Sequence, residues 1–347
     1  MGQTLSFLYK FLVDQIFANL PETHADLTGR TFLVTGSNTG IGLGLATHLA
    51  RLQPAHLILA VRDLKKGEAA KQSIIAQTGF NGSLEVWELD MADFSSVKRF
   101  AERVNATLKR LDGVNLNAGV SSWKRTMSAD GWERMLQVNA LAPGLLAVLL
   151  LPLLQATTRL PPPHPDASQT PPHLTFTGSS SMFMATFSER SATKLLEALN
   201  DKSQSSIMDR YPTSKLFNLY VAREIVKLPE AQGVVVNVVD PGFCASELGR
   251  DLGIPSLVLW ILNNTMAWTP EKGALNLLYA LLLPTPPAAY VTACAVYPSV
   301  CVLAHSVLRP PSWTQTKEGL DVQARAWSEM IEVWKGIAPE VSRIVAP

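Results

Sequence analysis

Short apolar runs alternate along the chain with longer stretches in which apolar positions recur every three or four residues. Thr31–Thr35 reads as a strand, and Gly40 to about Leu52 as the helix that follows it. His56–Val61 is a second strand, followed by a charged helix over Lys65–Gln77. Leu84–Leu89 and Val114–Asn117 read as two more strands, separated by the amphipathic stretch Ser95–Leu108. The alternation resumes with Leu174–Thr177, a helix from Pro212 to about Lys227, and a sixth strand at Val234–Val239. Repeated βα units of this kind form a parallel sheet with helices on both faces, so the expected fold class is α/β, a single doubly wound domain.

Two stretches need separate treatment. Trp132–Leu154 is a long helical segment, and Leu141–Leu154 within it is almost wholly apolar. Its length falls short of a membrane span and Pro143 and Pro152 are expected to interrupt it, which favours a helix buried against the sheet or against a second subunit. Arg159–Pro172 is proline-rich and polar, a surface loop. Pro212 suits the first turn of its helix, where a missing N–H leaves no bond unmade.

Composition narrows the choice of class. A chain of 347 residues with 47% hydrophobic content can bury one large core. The expected layout is an N-terminal apolar extension over residues 1–26 and one catalytic domain over 27–347, with a substrate loop at about 243–268. Thirty basic against 29 acidic residues, spread evenly, leave no footprint for nucleic acid. Three cysteines (Cys244, Cys294, Cys301) lack metal-ligand spacing, so no metal site is expected and the thiols suit a reducing compartment, placing the protein in the cytoplasm. No secretory signal is evident. Met1-Gly2-Gln3-Thr4-Leu5-Ser6 fits the short N-myristoylation pattern, and an apolar stretch follows it. Peripheral membrane contact and simple packing on the domain are both open readings of that extension.

The candidate chemistry centres on Tyr211 and Lys215, in Tyr211-Pro212-Thr213-Ser214-Lys215. On a helix, residues four apart share a face, where a cation can favour a phenolate and make the phenol a proton donor. Directly after the first strand comes Thr35-Gly36-Ser37-Asn38-Thr39-Gly40-Ile41-Gly42, leading into the first helix. Glycines in a strand-to-helix turn let the backbone and the helix N-terminus approach a pyrophosphate. The second strand ends in Val61-Arg62-Asp63, where Arg62 could face the extra phosphate of NADP and Asp63 leaves NAD as the less favoured cofactor.

Together these residues resemble the short-chain dehydrogenases/reductases over roughly Leu27 to the C-terminus. Thr35–Gly42 is similar to that family's cofactor turn, in which Gly36, Ser37, Asn38, Gly40, Ile41 and Gly42 would meet the cofactor. Asp90 matches the acid that contacts adenine, and Asn117-Ala118-Gly119 the end of an Asn-Asn-Ala-Gly signature whose first asparagine is replaced here by Leu116. Asn139 matches the helix asparagine that anchors a relay water. Ser179, with Ser180 and Ser181 directly after it, matches the serine that orients the substrate oxygen. Pro241-Gly242 matches the loop beside the nicotinamide, and Ser246 could meet the cofactor phosphates. The stretch Met182–Arg210 lies where related chains are shorter, and with Thr269-Pro270-Glu271-Lys272 it is similar to the retinol-dehydrogenase-like branch and to reductases of fungal secondary metabolism.

The resemblance implies a Rossmann-type fold, NADPH as cofactor, and Tyr211 as proton donor or acceptor between a carbonyl and an alcohol. Lys215 would lower the tyrosine pKa and hold the nicotinamide ribose. Leu248, Leu252, Ile254, Leu257, Val258, Leu259, Trp260 and Ile261 point to an apolar substrate, polyketide-like or otherwise, or to a patch that meets a membrane or partner. The helix over 141–154 and the helix bearing Tyr211 are, by the same resemblance, surfaces for a homodimer. The alternative function is a non-catalytic NADP sensor that kept the fold.

Overall fold

The computed structural model describes residues 13, 15–165, 169–201, 206–245, 265–297 and 312–346. Eight strands form one sheet: β1 (Thr31–Thr35), β2 (His56–Val61), β3 (Ser83–Glu88), β4 (Gly113–Leu116), β5 (His173–Thr177), β6 (Val235–Val239), β7 (Ala289–Thr292) and β8 (Ala295–Tyr297). Their order is β3-β2-β1-β4-β5-β6-β7-β8, parallel throughout except for the antiparallel β7–β8 pair. The central strands are buried on both faces, as crossover helices require, and enclose the polar side chains of Asn115, His173 and Thr175 with their apolar ones. Leu33 of β1 is in register with Ile58 of β2 on one side and Val114 of β4 on the other. The chain leaves β1 toward β2 and reaches β4 on β1's opposite side. That switch opens a crevice beyond the carboxyl ends of the strands.

On one face lie α1 (Gly40–Arg51), α2 (Leu64–Thr78) and α7 (Pro270–Leu282), which bring Leu45, Leu49, Ile74, Leu277 and Leu281 onto Val34 and Leu59. The other face carries α3 (Phe94–Thr107), α4 (Arg134–Thr158) and α6 (Ile207–Ile225). Across these last helices lies the amphipathic α8 (Lys317–Ile337), whose Val322, Ala326, Met330 and Trp334 are buried. The short α5 (Leu195–Asn200) and α9 (Val341–Ile344) complete the helical set used below.

Two proline expectations are corrected. α4 runs unbroken for 25 residues through both Pro143 and Pro152. A π-turn over Gln137–Leu141 shifts the hydrogen-bond ladder just before Pro143, so the proline falls where the ladder is already re-registered. α4 is long and apolar enough to cross a membrane, but its most apolar window is 78% buried, which makes it a core helix. Part of that burial comes from α8: the Trp334 indole N–H donates to the Leu141 carbonyl at 2.9 Å, and its ring lies where a side chain at Gly144 would stand. At Leu141 and Gly144 this helix is therefore covered by the chain's own α8.

Pro212, the second case, is interior to α6, which begins at Ile207. Tertiary bonds support the extra turn. The Asp209 carboxylate accepts from the backbone N–H groups of Thr186 and Phe187 at 2.9 and 2.8 Å, and buried Arg210 pairs with Glu189 at 3.4 Å and Glu133 at 3.7 Å. The stretch Met182–Arg210 is thus tied to both α4 and α6, and it fixes the residue immediately before Tyr211.

Candidate active site

A cleft of about 810 Å³ runs along the carboxyl ends of the strands, lined by the turn after β1, the ends of β2, β3, β4 and β5, and α6. Its floor is the glycine turn. Gly36 has φ +64°, and a side chain there would press on the Ala118 backbone at 2.9 Å, so both conformation and space demand glycine. Asn117 holds the turn closed by donating from its amide to the carbonyls of Thr35 and Gly36 at 2.9 and 3.3 Å. The Thr35 hydroxyl accepts from the N–H groups of Asn117 and Ala118. α1 then starts with neither a side-chain cap nor an acid in its first turn, which leaves its free amides and positive dipole end for an anion.

Of the expected cofactor residues, Gly36, Asn38, Gly40, Ile41, Arg62, Asp90, Asn117, Tyr211, Lys215 and Pro241 line the cleft. Ser37 and Gly42 are buried beneath the turn, where Gly42 packs against the Gly36 carbonyl; Gly242 stands behind Pro241. Ser246 and residues 248–261 lie outside the described residues. At the end of β2 the acid and the bases take different places. Asp63 caps α2 by accepting from the N–H groups of Lys65 and Lys66 at 3.0 and 3.1 Å, while Arg62, Lys65 and Lys66 are exposed along the cleft. The lysines were missed by sequence reasoning because a charged helix start reads as a solvated face.

At the other end of the cleft the proton-transfer candidates converge. Lys215 Nζ donates to the Thr177 carbonyl at 2.8 Å and lies 5.8 Å from the Tyr211 ring centroid. The Ser179 hydroxyl is hydrogen-bonded to the Tyr211 phenol and accepts from Ser181 N–H, whereas Ser180 hydrogen-bonds Asp240. Ser179 is thus the serine that meets the tyrosine. Asn139 sits in the π-turn of α4, its amide donating to Val120 O and Ser214 Oγ at 2.8 and 3.1 Å and accepting from Val120 N–H. It therefore stitches the end of β4 to the helix that bears Tyr211.

The electrostatics correct one expectation. Burial pushes the Tyr211 phenol up to about 12, its bond to Ser179 draws it down and the charge of Asp240 pushes it up. The Lys215 ammonium does not offset this rise, because burial brings it down to about 8, with Asp240 pulling it upward, so its charge is lost below the pH at which the phenol titrates. Asp240, 4% exposed, accepts from Gly242 N–H, Tyr290 and Ser180, and burial holds its pKa above the usual carboxylate value. It went unnoticed in sequence because an Asp before Pro-Gly reads as a turn residue. The Cys244 thiol, pushed up to about 12 by burial, is a core thiol. Among the described residues no group of side chains is placed to hold a metal ion.

Comparison with known proteins extends this geometry. The profile of the short chain dehydrogenase family matches residues 30–159. The chain is 33% identical over 339 residues to short chain dehydrogenase/reductase dmxR8 of Cryptosporiopsis sp., covering 96% of this chain and 98% of that one. It is 41% identical over 254 residues to short chain dehydrogenase sol3 of Alternaria solani, covering 73% and 85%. Among solved structures, one from Mycobacterium paratuberculosis superposes with a TM-score of 0.62 at 24% identity, covering 91% of this chain and 98% of that one. A short chain dehydrogenase from Escherichia coli CFT073, complexed with NADPH, gives 0.54 at 22% identity over 77% and 98%.

Proposed function

The chain belongs to the short-chain dehydrogenase/reductase family, and on that premise we propose that it is an NADP-dependent oxidoreductase interconverting a carbonyl and an alcohol on an apolar small molecule, with Tyr211 as proton donor and acceptor. The observation that carries this reading is the convergence of Tyr211, Ser179, Lys215 and Asn139 on the end of a cleft whose other end is a glycine turn and an uncapped helix N-terminus. The turn fits a dinucleotide: its backbone is bare where a side chain would stand, and α1 offers free amides to a pyrophosphate. A nicotinamide bound in the cleft supplies the hydride.

The side chains do the rest. Ser179 holds the substrate oxygen beside the phenol, and Tyr211 passes its proton to that oxygen in reduction or takes it back in oxidation. A phenol that burial holds near 12 remains protonated at neutral pH, ready as the donor. Lys215, fixed by the Thr177 carbonyl, keeps positive charge beside the ring and would meet the cofactor ribose. NADP over NAD rests on Arg62, Lys65 and Lys66 facing the cleft while Asp63 is occupied in capping. The NADPH and 5-hydroxy-NADP bound by two fold relatives agree with it.

The test is NADPH oxidation against a panel of apolar carbonyls, including acetophenone, decanal and benzil, with wild type and Tyr211→Phe. The wild type is expected to turn over at least one of them, and the variant to lose about 10²–10⁴-fold in kcat while still binding NADPH. Wild-type turnover by Tyr211→Phe would remove the tyrosine from its role, and silence of the wild type across the panel with NADPH bound would favour a sensor.

A further inference from the structure

Gln15 lies far from the cleft in sequence and next to it in space. It is buried, 4% exposed, on a segment flanked by the exposed side chains of Ile16 and Phe17. Its amide is fully used. Nε2 donates to the carbonyls of Phe243 and Met266 at 2.8 and 2.9 Å, and Oε1 accepts from Phe243 N–H at 3.1 Å. Its main-chain carbonyl accepts from the Trp268 indole N–H at 2.7 Å.

Those partners belong to two short strands that run side by side. Trp268 N–H donates to Phe243 O at 2.8 Å and Ala245 N–H to Trp268 O at 2.9 Å, a bridge between the segments 243–245 and 266–268. By covalent connectivity everything between Ala245 and Thr265 begins and ends at this neck. The neck follows directly on Pro241, which lines the cleft. Gly242, the joint between them, is packed against the Trp268 ring and Gln15 Oε1. A two-residue-wide bridge has few bonds of its own, and a buried amide that reaches both of its strands closes it from the side. Asn or Ser would be too short to reach both carbonyls, and Glu would lose both donors.

We propose that Gln15 is a positioning residue of the active site: it clasps the two strands of this neck and so fixes the 241–243 segment, of which Pro241 lines the end of the cleft where substrate is handled. The N-terminal segment is then a working part of the substrate side of the enzyme. The proposal rests on the proposed function for its kinetic consequence and on geometry alone for the clasp, and the two are measured separately.

The clasp is read by amide hydrogen exchange on the full chain, wild type against Gln15→Ala, with Trp268→Phe as a second variant that removes the indole bond and part of the ring packed on Gly242 while leaving the Gln15 amide in place. Exchange of the Phe243, Ala245 and Trp268 amides is expected to rise about tenfold or more in Gln15→Ala and less in Trp268→Phe, while Leu33 and Val114 in the central sheet keep wild-type rates. The kinetic consequence is read with whichever carbonyl of the panel the wild type reduces. KM for that carbonyl should rise severalfold in Gln15→Ala with kcat little changed. Neck amides exchanging at wild-type rates would overturn the proposal, and so would a rise shared equally by Leu33 and Val114. An opened neck with unchanged KM and kcat would overturn the positioning role. If no carbonyl is reduced, the proposed function fails and the exchange data alone decide the clasp.

Discussion

Asp240 shares the end of the cleft with Tyr211 and Lys215, and the charges of the three groups are coupled. Burial brings Lys215 down to about 8 from its ordinary 10.5, and Asp240 acts against that fall. The ammonium is therefore fully present below about 8 and lost above it. Between about 8 and 10.5 the folded chain binds fewer protons at this site than the unfolded chain, so this group favours folding increasingly as pH rises through that window. For function the sign is opposite. If the charged lysine holds the cofactor, kcat/KM for NADPH, which reports the free enzyme, should decline as pH rises through about 8. Asp240→Asn removes the upward pull on Lys215 and should move that alkaline limb to lower pH; a limb that stays in place would show that Asp240 does not set it. At this scale the sequence carries Tyr211, Lys215, Ser179 and Asn139 openly, because each sits in a recognisable run. Asp240 and Gln15 are hidden for one physical reason: their partners, Ser180 and Tyr290 for one and Phe243, Met266 and Trp268 for the other, are remote in the chain.

Among the elements, α4 and α8 are joined by contacts remote in the chain. The Trp334 ring occupies the space over Gly144, and its indole N–H is satisfied by the Leu141 carbonyl. Trp334→Ala should therefore cost about 3–5 kcal/mol of stability through the cavity it leaves, measured by denaturant unfolding. Gly144→Ala should destabilise the wild type, because the added methyl group would stand 2.6 Å from the ring, and should do so far less in a Trp334→Leu background. Equal effects in both backgrounds would show that the ring yields. This packing also explains what could be read in advance. β1 to β6 were legible as short runs of apolar and β-branched residues bounded by turns, although β3 is a partly exposed edge strand. β7 and β8 were not, because their two-residue turn is Ala293-Cys294, both at positive φ, without the Asn-Gly or Asp-Gly signature of such turns. The start of α6 was misplaced because Pro212 reads as a first-turn residue, whereas Asp209 and Arg210 draw the helix back to Ile207 through bonds to Thr186, Phe187, Glu189 and Glu133.

The molecule as a whole is nearly neutral, with a formal charge of +1, so any electrostatic preference of the cleft must be local. It is local: Arg62, Lys65 and Lys66 are exposed along the cleft beyond β2, and the neighbouring Asp63 is turned to the N–H groups of α2. Glu88 and Asp90 line the same region, so the cations stand in a mixed field rather than a basic surface. A charge-assisted contact from Arg62 to the extra phosphate of NADPH is of the kind worth about 1.5–3 kcal/mol, or roughly 10- to 100-fold in affinity. Arg62→Asp should weaken NADPH by about that factor and leave NADH almost unchanged. Asp63→Ala should do the reverse of a specificity change: it removes the α2 cap at about 1 kcal/mol of stability and leaves the preference between the two cofactors in place. Because these cations are exposed, salt screens them, and raising ionic strength should weaken NADPH more steeply than NADH. In Arg62→Asp the two salt dependences should converge. If they remain apart, the discrimination belongs to Lys65 and Lys66, and the corresponding lysine-to-alanine substitutions should then remove it.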